Sequence, residues 1–226
     1  MTKSSKLVFL LLTAFLLSAP ILYSQNELTG ANENITESYQ QLKDNEKNYY
    51  DSLVAVYKKN EGINRLDLLM DLLEVCPGED NIEYLPEALD IINSKISTTK
   101  NDSVKNLMTS YLADVKLYEG AYQIQELANK EDGIKSFEEE LELRKIIHDS
   151  VRTVNAYMRI SNEYEDLGDY YSKLNLLKDA VETFEKWGYL NGLGKMEYQL
   201  SMFYSDLGDF ENANKHIIKA QQVEQT

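Results

Sequence analysis

The chain has 226 residues, with 38 Asp and Glu against 23 Lys and Arg, a formal net charge of −15. So acidic a surface argues against nucleic-acid backbones and anionic membranes as partners, and permits basic peptides or cations. The single cysteine, Cys76, excludes an internal disulfide, and 3 prolines with 10 glycines favour helix over sheet.

Residues 1–24 read as a secretory signal. Lys3 and Lys6 give a basic start, Leu7 to Leu17 is an apolar run, Ser18-Ala19-Pro20 breaks it, and Ser24 offers a cleavage site before Gln25. The run is short for a bilayer-spanning helix. Cleavage is the expected outcome, with an uncleaved anchor as the alternative. Removal of the two lysines takes the charge from −15 to about −17. The mature protein is then periplasmic or secreted, with no membrane insertion beyond the signal.

Residues 25–37 are polar without apolar patterning and are expected to be a flexible spacer. Residues 38–115 are expected to form divergent helical hairpins. The first helix covers 38–59, with Leu42, Tyr49, Leu53, Val56 and Tyr57 as its stripe, and Asn60-Glu61-Gly62 ends it. The second covers 63–75, with Leu66, Leu69, Met70 and Leu73 inward. Cys76 is expected to be buried and inert beside a turn at Pro77-Gly78-Glu79-Asp80. The third covers 84–96, with Leu85, Leu89, Ile92 and Ile96. Asn101 or Asp102 can cap the next helix.

From Ser103 to about Asn129 the apolar residues Val104, Leu107, Met108, Tyr111, Leu112, Val115, Tyr118 and Tyr122 recur at helical spacing. This is one helix, or two meeting near Gly120. Lys130-Glu131-Asp132-Gly133 is read as a turn, with Ile134, Phe137 and Leu141 on the helix after it. Arg144 then stands where a small residue is wanted. That makes a poorer repeat over about 116–153, offset by roughly 36 residues from the next.

Two better repeats follow, over 154–193 and 194–226. Ile160, Ser161, Tyr164, Asp166-Leu167-Gly168-Asp169 and Tyr170 return as Leu200, Ser201, Tyr204, Asp206-Leu207-Gly208-Asp209 and Phe210, each 40 residues later. Leu177 and Ala180 return as Ile217 and Ala220, and the last unit also has Ala213. Tyr157, Ile160 and Tyr164 mark one stripe of a first helix. Ser161 beside it is small and lets a neighbouring helix approach. Gly168 suits a left-handed helix stop, and Asp169 can cap the restart. Tyr170, Leu174, Leu177 and Ala180 form the inward stripe of the second helix, as do Phe210, Ala213, Ile217 and Ala220. Gly188, Gly192 and Gly194 read as a connection between units. The sixteen tyrosines are read as core filler.

This pattern resembles the tetratricopeptide repeat family: a large apolar, a small and an aromatic residue in helix A, a Gly-Asp-aromatic turn, then Ala, a bulky residue and Ala in helix B. Lys173 stands at the first of those alanines in the earlier unit. The period of 40 exceeds the family's roughly 34. The resemblance implies an all-α, α-α superhelix, a solenoid of antiparallel helix hairpins. It also implies that helix A lines the binding groove, through Asn155, Met158, Asn162 and Glu165 in one unit and Lys195, Tyr198, Met202 and Ser205 in the next.

The order of segments also resembles the exported sensor region of certain bacterial signalling proteins of the sensor histidine kinase type. The matching residues are Asp51-Ser52-Leu53, Arg65-Leu66-Asp67-Leu68-Leu69 and Pro86-Glu87-Ala88-Leu89, followed by repeats.

No catalytic, cofactor or metal constellation is found in the sequence. His148 and His216 lack partners at metal-ligand spacing, and Glu138-Glu139-Glu140 reads as a solvated helix face. The expected function is a non-enzymatic scaffold for an unidentified protein or peptide, or alternatively a truncated sensor region. Only Gln221 to Thr226 follow Ala220, so no polar cap is read over the last repeat. The expectation there is a truncated product, a self-associating end, or a face covered by a partner.

Overall fold

Five turns, one every twenty residues, set the architecture. Ala128, His148, Gly168, Gly188 and Gly208 have left-handed backbones, with φ of 52°, 54°, 71°, 61° and 75°. In four of the turns the hydrogen bonding is the same. At Gly168, its own N–H donates to the Glu165 carbonyl at 2.8 Å and the Asp169 N–H to the Tyr164 carbonyl at 2.9 Å. These bonds satisfy carbonyls that the helix end would otherwise leave open. His148, Gly188 and Gly208 repeat the pattern. The Ala128 turn is wider: the next amide, Asn129, reaches back to Gln123 at 2.8 Å.

The residue after each turn starts the next helix. Asn129, Asp149, Asp169 and Asp209 each accept a hydrogen bond from the amide three residues on. That is the N-cap geometry, with a carboxylate at the positive helix end in three of the four. Tyr189 makes no such bond.

The computed structural model describes residues 48–58, 63–75 and 83–224. The signal segment, the spacer, residues 38–47 of the expected first helix, the turns at Asn60-Glu61-Gly62 and Pro77-Gly78-Glu79-Asp80, and Cys76 lie outside the described residues. The chain divides into a unit ending at Tyr49 and a unit from Tyr50 onward. A helix covers 48–57, here α1. There follow α2 (Ile63–Val75), α3 (Leu85–Thr98), α4 (Asp102–Gln125), α5 (Lys130–Ile146), α6 (Ser150–Asp166), α7 (Tyr170–Trp187), α8 (Leu190–Asp206) and α9 (Phe210–Glu224). No strand occurs among the described residues. From α2 onward each helix packs on its successor, and α2 also touches α4 and α6 touches α8. The short turns make neighbours antiparallel. The fold is therefore all-α, a solenoid of helix hairpins.

Two apolar clusters fill it. Leu53, Leu66, Leu69, Leu72, Leu73, Ile92, Met108 and Val115 belong to the first. Phe137, Tyr157, Ile160, Leu177, Ala180, Phe184, Met196 and Leu200 belong to the second. Helix α4 serves both: Met108 and Val115 lie in the first, while Leu117, Ala121 and Ile124 pack on the second. Asn101 caps α4, accepting from the amides of Ser103 and Val104.

Of the two alternatives for 103–129 the structure has the single helix: α4 runs unbroken through Gly120, which sits at a close helix contact. A Cβ on Gly120 would stand 2.6 Å from the Phe137 ring and 2.8 Å from the Gly133 carbonyl. Several other expectations are corrected. Lys130–Gly133 is the first turn of α5; the connection lies before it, at Ala128. The first repeat is thus offset by 40 residues, like the second. In that register Glu140, not Arg144, occupies the place of Ala180 and Ala220, and Arg144 occupies the place of Phe184. Gly192 and Gly194 lie inside α8, not in a connection.

Tyr170 and Phe210 are also corrected. They are 51% and 68% exposed rather than inward. Each is the first residue of its helix, so its side chain leans out over the turn. Tyr170 still meets Phe203 of the following hairpin, ring centres 6.5 Å apart.

The outward side of α9 is mixed. Leu174, Val181 and Phe184 of α7 become Asn214, Gln221 and Glu224 there, while Ile218 is half exposed. Polar side chains thus stand at positions where the sequence reading found no cap.

Candidate functional site

The groove positions lie on the first helices of the last two hairpins. On α6, Thr153, Val154, Ala156, Tyr157, Ile160 and Ser161 are buried. Asn155, Asn162 and Glu165 are exposed, and Met158 is half-buried against the core. On α8, Gly192, Met196, Glu197, Leu200, Ser201 and Phe203 are buried. Lys195, Tyr198, Met202 and Ser205 are exposed, Tyr198 and Met202 by 48% and 45%. The helical period makes each set a stripe, at i, i+3, i+7 and i+10. Glu165 is held by Lys173 Nζ at 2.8 Å. Lys195 makes no ion pair among the described residues.

The packing positions divide by depth. Ile160, Leu177 and Ala180 are fully buried, Ser161 and Leu200 nearly so, and Ser201, Ala213 and Ala220 sit just inside the surface. Ile217 is half-buried. Tyr164 and Tyr204 are half-buried and anchored at their polar ends or faces. Tyr164 donates to Glu138 at 2.7 Å, and Tyr204 stacks on His216 at 5.4 Å. Burial and the Glu138 bond raise the Tyr164 pKa. Gly168 and Gly208 have nothing within 4 Å of where a Cβ would be, so only their backbones require glycine.

Three polar clusters that sequence reading missed join α6 and α8 to their neighbours. The largest surrounds Arg144, whose side chain is wholly buried. It donates to Asp114, to the Ser110 carbonyl at 3.2 Å and to Ser110 Oγ at 3.1 Å. Glu140 lies 3.6 Å from its Nε and also takes Arg159 of α6. Burial pushes the Glu140 pKa up, against the pull of Arg159 and Arg144. The cluster ties α4, α5 and α6 together.

The second cluster joins α5, α6 and α7. Tyr157 donates to Asp179 at 2.5 Å and lies 3.0 Å from Thr183 Oγ1, while Lys145 reaches Asp179 at 2.9 Å. Burial, then the bond to Asp179, raises the Tyr157 pKa to about 12. The third joins α8 and α9: His216 Nδ1 donates to Glu197 at 2.5 Å, and Lys219 Nζ to its other oxygen at 3.0 Å. Glu197 is 2% exposed. A fourth, near the start, links Tyr57, Arg65 and Glu87 across α1, α2 and α3. The 40-residue register was the available signal: it sets Glu140 and Arg144 against Ala180 and Phe184, and Glu197 against Tyr157.

These clusters fasten neighbouring helices to one another. Their carboxylates are taken up by cations or hydroxyls, and no group of three His, Cys, Asp or Glu is placed to hold a metal among the described residues. No helix among them is long and apolar enough to cross a membrane.

No protein-family model matches the chain, and no curated protein matches it. Among solved structures it is similar to one titled "Crystal structure of MamA", at 14% identity and a TM-score of 0.47, over 83% of this chain and 93% of that one.

Proposed function

We propose that the chain is an exported, non-enzymatic scaffold that binds a protein or peptide across the first helices of its last two hairpins. One observation carries this: Asn155, Met158, Asn162 and Glu165 on α6 recur in register as Lys195, Tyr198, Met202 and Ser205 on α8, and the two helices touch. Two in-register stripes on touching helices would make one continuous strip. Asparagine amides, a tyrosine and methionines there can hydrogen-bond and pack an extended or helical peptide. Export is supported by the basic start at Lys3 and Lys6 and the apolar run Leu7 to Leu17.

Pull-down from the exported fraction tests the strip. Asn162→Ala and Tyr198→Ala should weaken capture of a partner while the melting temperature stays within about a degree or two. Unchanged capture removes this face from consideration.

A second reading is the extracytoplasmic sensor region of a signalling protein, supported by Asp51-Ser52-Leu53, Arg65 to Leu69 and Pro86 to Leu89 ahead of the repeats. In-frame coding sequence downstream for a membrane helix and an output domain would favour it.

A further inference from the structure

The second and third polar clusters occupy the same place in successive repeats. Forty residues separate Lys145 from Glu185, Tyr157 from Glu197, Asp179 from Lys219, and Thr183 from Val223. In the earlier repeat the place is filled. The Tyr157 ring occupies it, and the Lys145 ammonium sits 5.2 Å from the ring centre and 2.9 Å from Asp179.

In the later repeat the ring is replaced by a carboxylate side chain and the hydroxyl by a methyl. An open cleft of about 280 Å³ remains, lined by Glu185, Leu193, Glu197, Lys219, Gln222 and Val223. The charges are also reversed, but the reversed bridge is not made. Lys219 turns to Glu197, whose other oxygen takes His216. Glu185 makes no ion pair among the described residues.

We propose that this cleft receives an arginine or lysine side chain from a basic peptide partner. The aliphatic stem lies along Leu193 and Val223, and the cationic head meets Glu185. The guest thereby supplies the cation that Lys145 supplies one repeat earlier. The cleft chemistry selects this class. Lys219 is already neutralised by Glu197, so it offers little to an anion. Glu197 is saturated by its two partners, so Glu185 alone would be a poor metal site. Apolar walls beside a carboxylate suit a long side chain that buries its stem and keeps its head charged. The net charge of −15 draws basic partners toward the surface. This inference does not rest on the α6–α8 strip, and its test uses different residues.

The test uses the full chain with methyl-labelled Leu and Val, titrated with N-acetyl-arginine amide and followed by NMR. The expected result is a saturable shift of the Leu193 and Val223 methyls at millimolar probe, at least tenfold weaker for N-acetyl-norleucine amide. Glu185→Lys should weaken the arginine response at least tenfold, while Glu211→Lys, in the first turn of α9 and not among the cleft residues, should leave it unchanged. Equal shifts with norleucine, a response to N-acetyl-glutamate amide, shifts spread evenly over the acidic surface, or an unaffected Glu185→Lys variant would each overturn it. A binding peptide that loses affinity when its basic residues become norleucine would extend it to a macromolecular partner.

Discussion

Ala128 and Gly168 hold the same place in successive repeats, forty residues apart, and both backbones are left-handed, with φ of 52° and 71°. Alanine pays a steric cost there that glycine does not, because its Cβ crowds the following carbonyl. Ala128→Gly should therefore stabilise the protein, by about 0.5–1 kcal/mol after the added freedom of glycine in the unfolded chain is deducted. Gly168→Ala should cost about 1 kcal/mol through the backbone alone, since nothing lies within 4 Å of the added methyl. Urea denaturation of the two variants reads both signs. If Ala128→Gly destabilises, the turn does not sit where the twenty-residue spacing puts it.

Two glycines of α8, two residues apart, should respond oppositely to the same change. A methyl on Gly192 would stand 2.7 Å from Tyr189 Cδ1 and 2.9 Å from the Phe184 ring. Phe184 is fully buried and cannot yield cheaply. Gly192→Ala should cost about 1–2 kcal/mol, an overpacking penalty partly offset by better helix propensity. A methyl on Gly194 would rest 3.6 Å from Val223, an ordinary contact. Gly194→Ala should then gain about 0.5–1 kcal/mol from helix propensity. Thermal melts of the pair, run side by side, check the contrast.

The sequence made the solenoid legible because Gly168-Asp169 and Gly208-Asp209 announce their turns by residue type. It blurred the register of the first repeat, where the corresponding, wider turn is built from Ala128 and Asn129 rather than Gly-Asp. Reading Lys130–Gly133 as the turn moved the register by several residues and set Arg144 against the wrong partner. The positions on α6 and α8 come from the resemblance to tetratricopeptide repeats; with Ile160 and Leu200 buried, all of them but Met158 are exposed. The buried polar clusters did not follow, because Glu140, Arg144 and Glu197 look like surface residues until their neighbours are known.

Asp169 and Asp209 connect the turns to pH. Hydrogen bonds from the helix start at Ser172 hold Asp169 below the usual carboxylate range, and bonds from Asn212 do the same for Asp209. A lowered carboxylate pKa contributes stability above the unfolded value, near 3.9, that is lost as pH falls through the folded value. Both residues should thus steepen acid unfolding below about pH 4. Asparagine caps the equivalent place at Asn129 without titrating. Asp169→Asn should leave stability at pH 7 nearly unchanged and flatten the acid limb. Guanidinium midpoints measured from pH 7 to pH 2.5 would show it, and an unchanged acid limb would refute the role of that carboxylate.

Arg144 offers the sharpest test of the repeat register. Its guanidinium is wholly buried, against Asp114 and Glu140. Arg144→Ala takes the buried cation from both carboxylates, leaving Glu140 with Arg159 and Asp114 with Arg152, and should cost about 3 kcal/mol, the low end for breaking a buried ion pair. In the next repeat the corresponding residues are Ala180 and Phe184, both buried in the apolar cluster. Glu140→Ala together with Arg144→Phe copies that solution. Only Asp114 then loses its buried partner, and Arg152 already stands 3.5 Å from its other oxygen. Arg159, 28% exposed, can turn to solvent once Glu140 is gone. The double variant should therefore be more stable than Arg144→Ala by at least about 1 kcal/mol, because replacing a buried ionic group with packed apolar side chains is often neutral or better. Equilibrium denaturation of Arg144→Ala, Arg144→Phe, Glu140→Ala and the double variant measures the coupling directly. A double variant no better than Arg144→Ala would mean that the two repeats do not share one packing register at this helix.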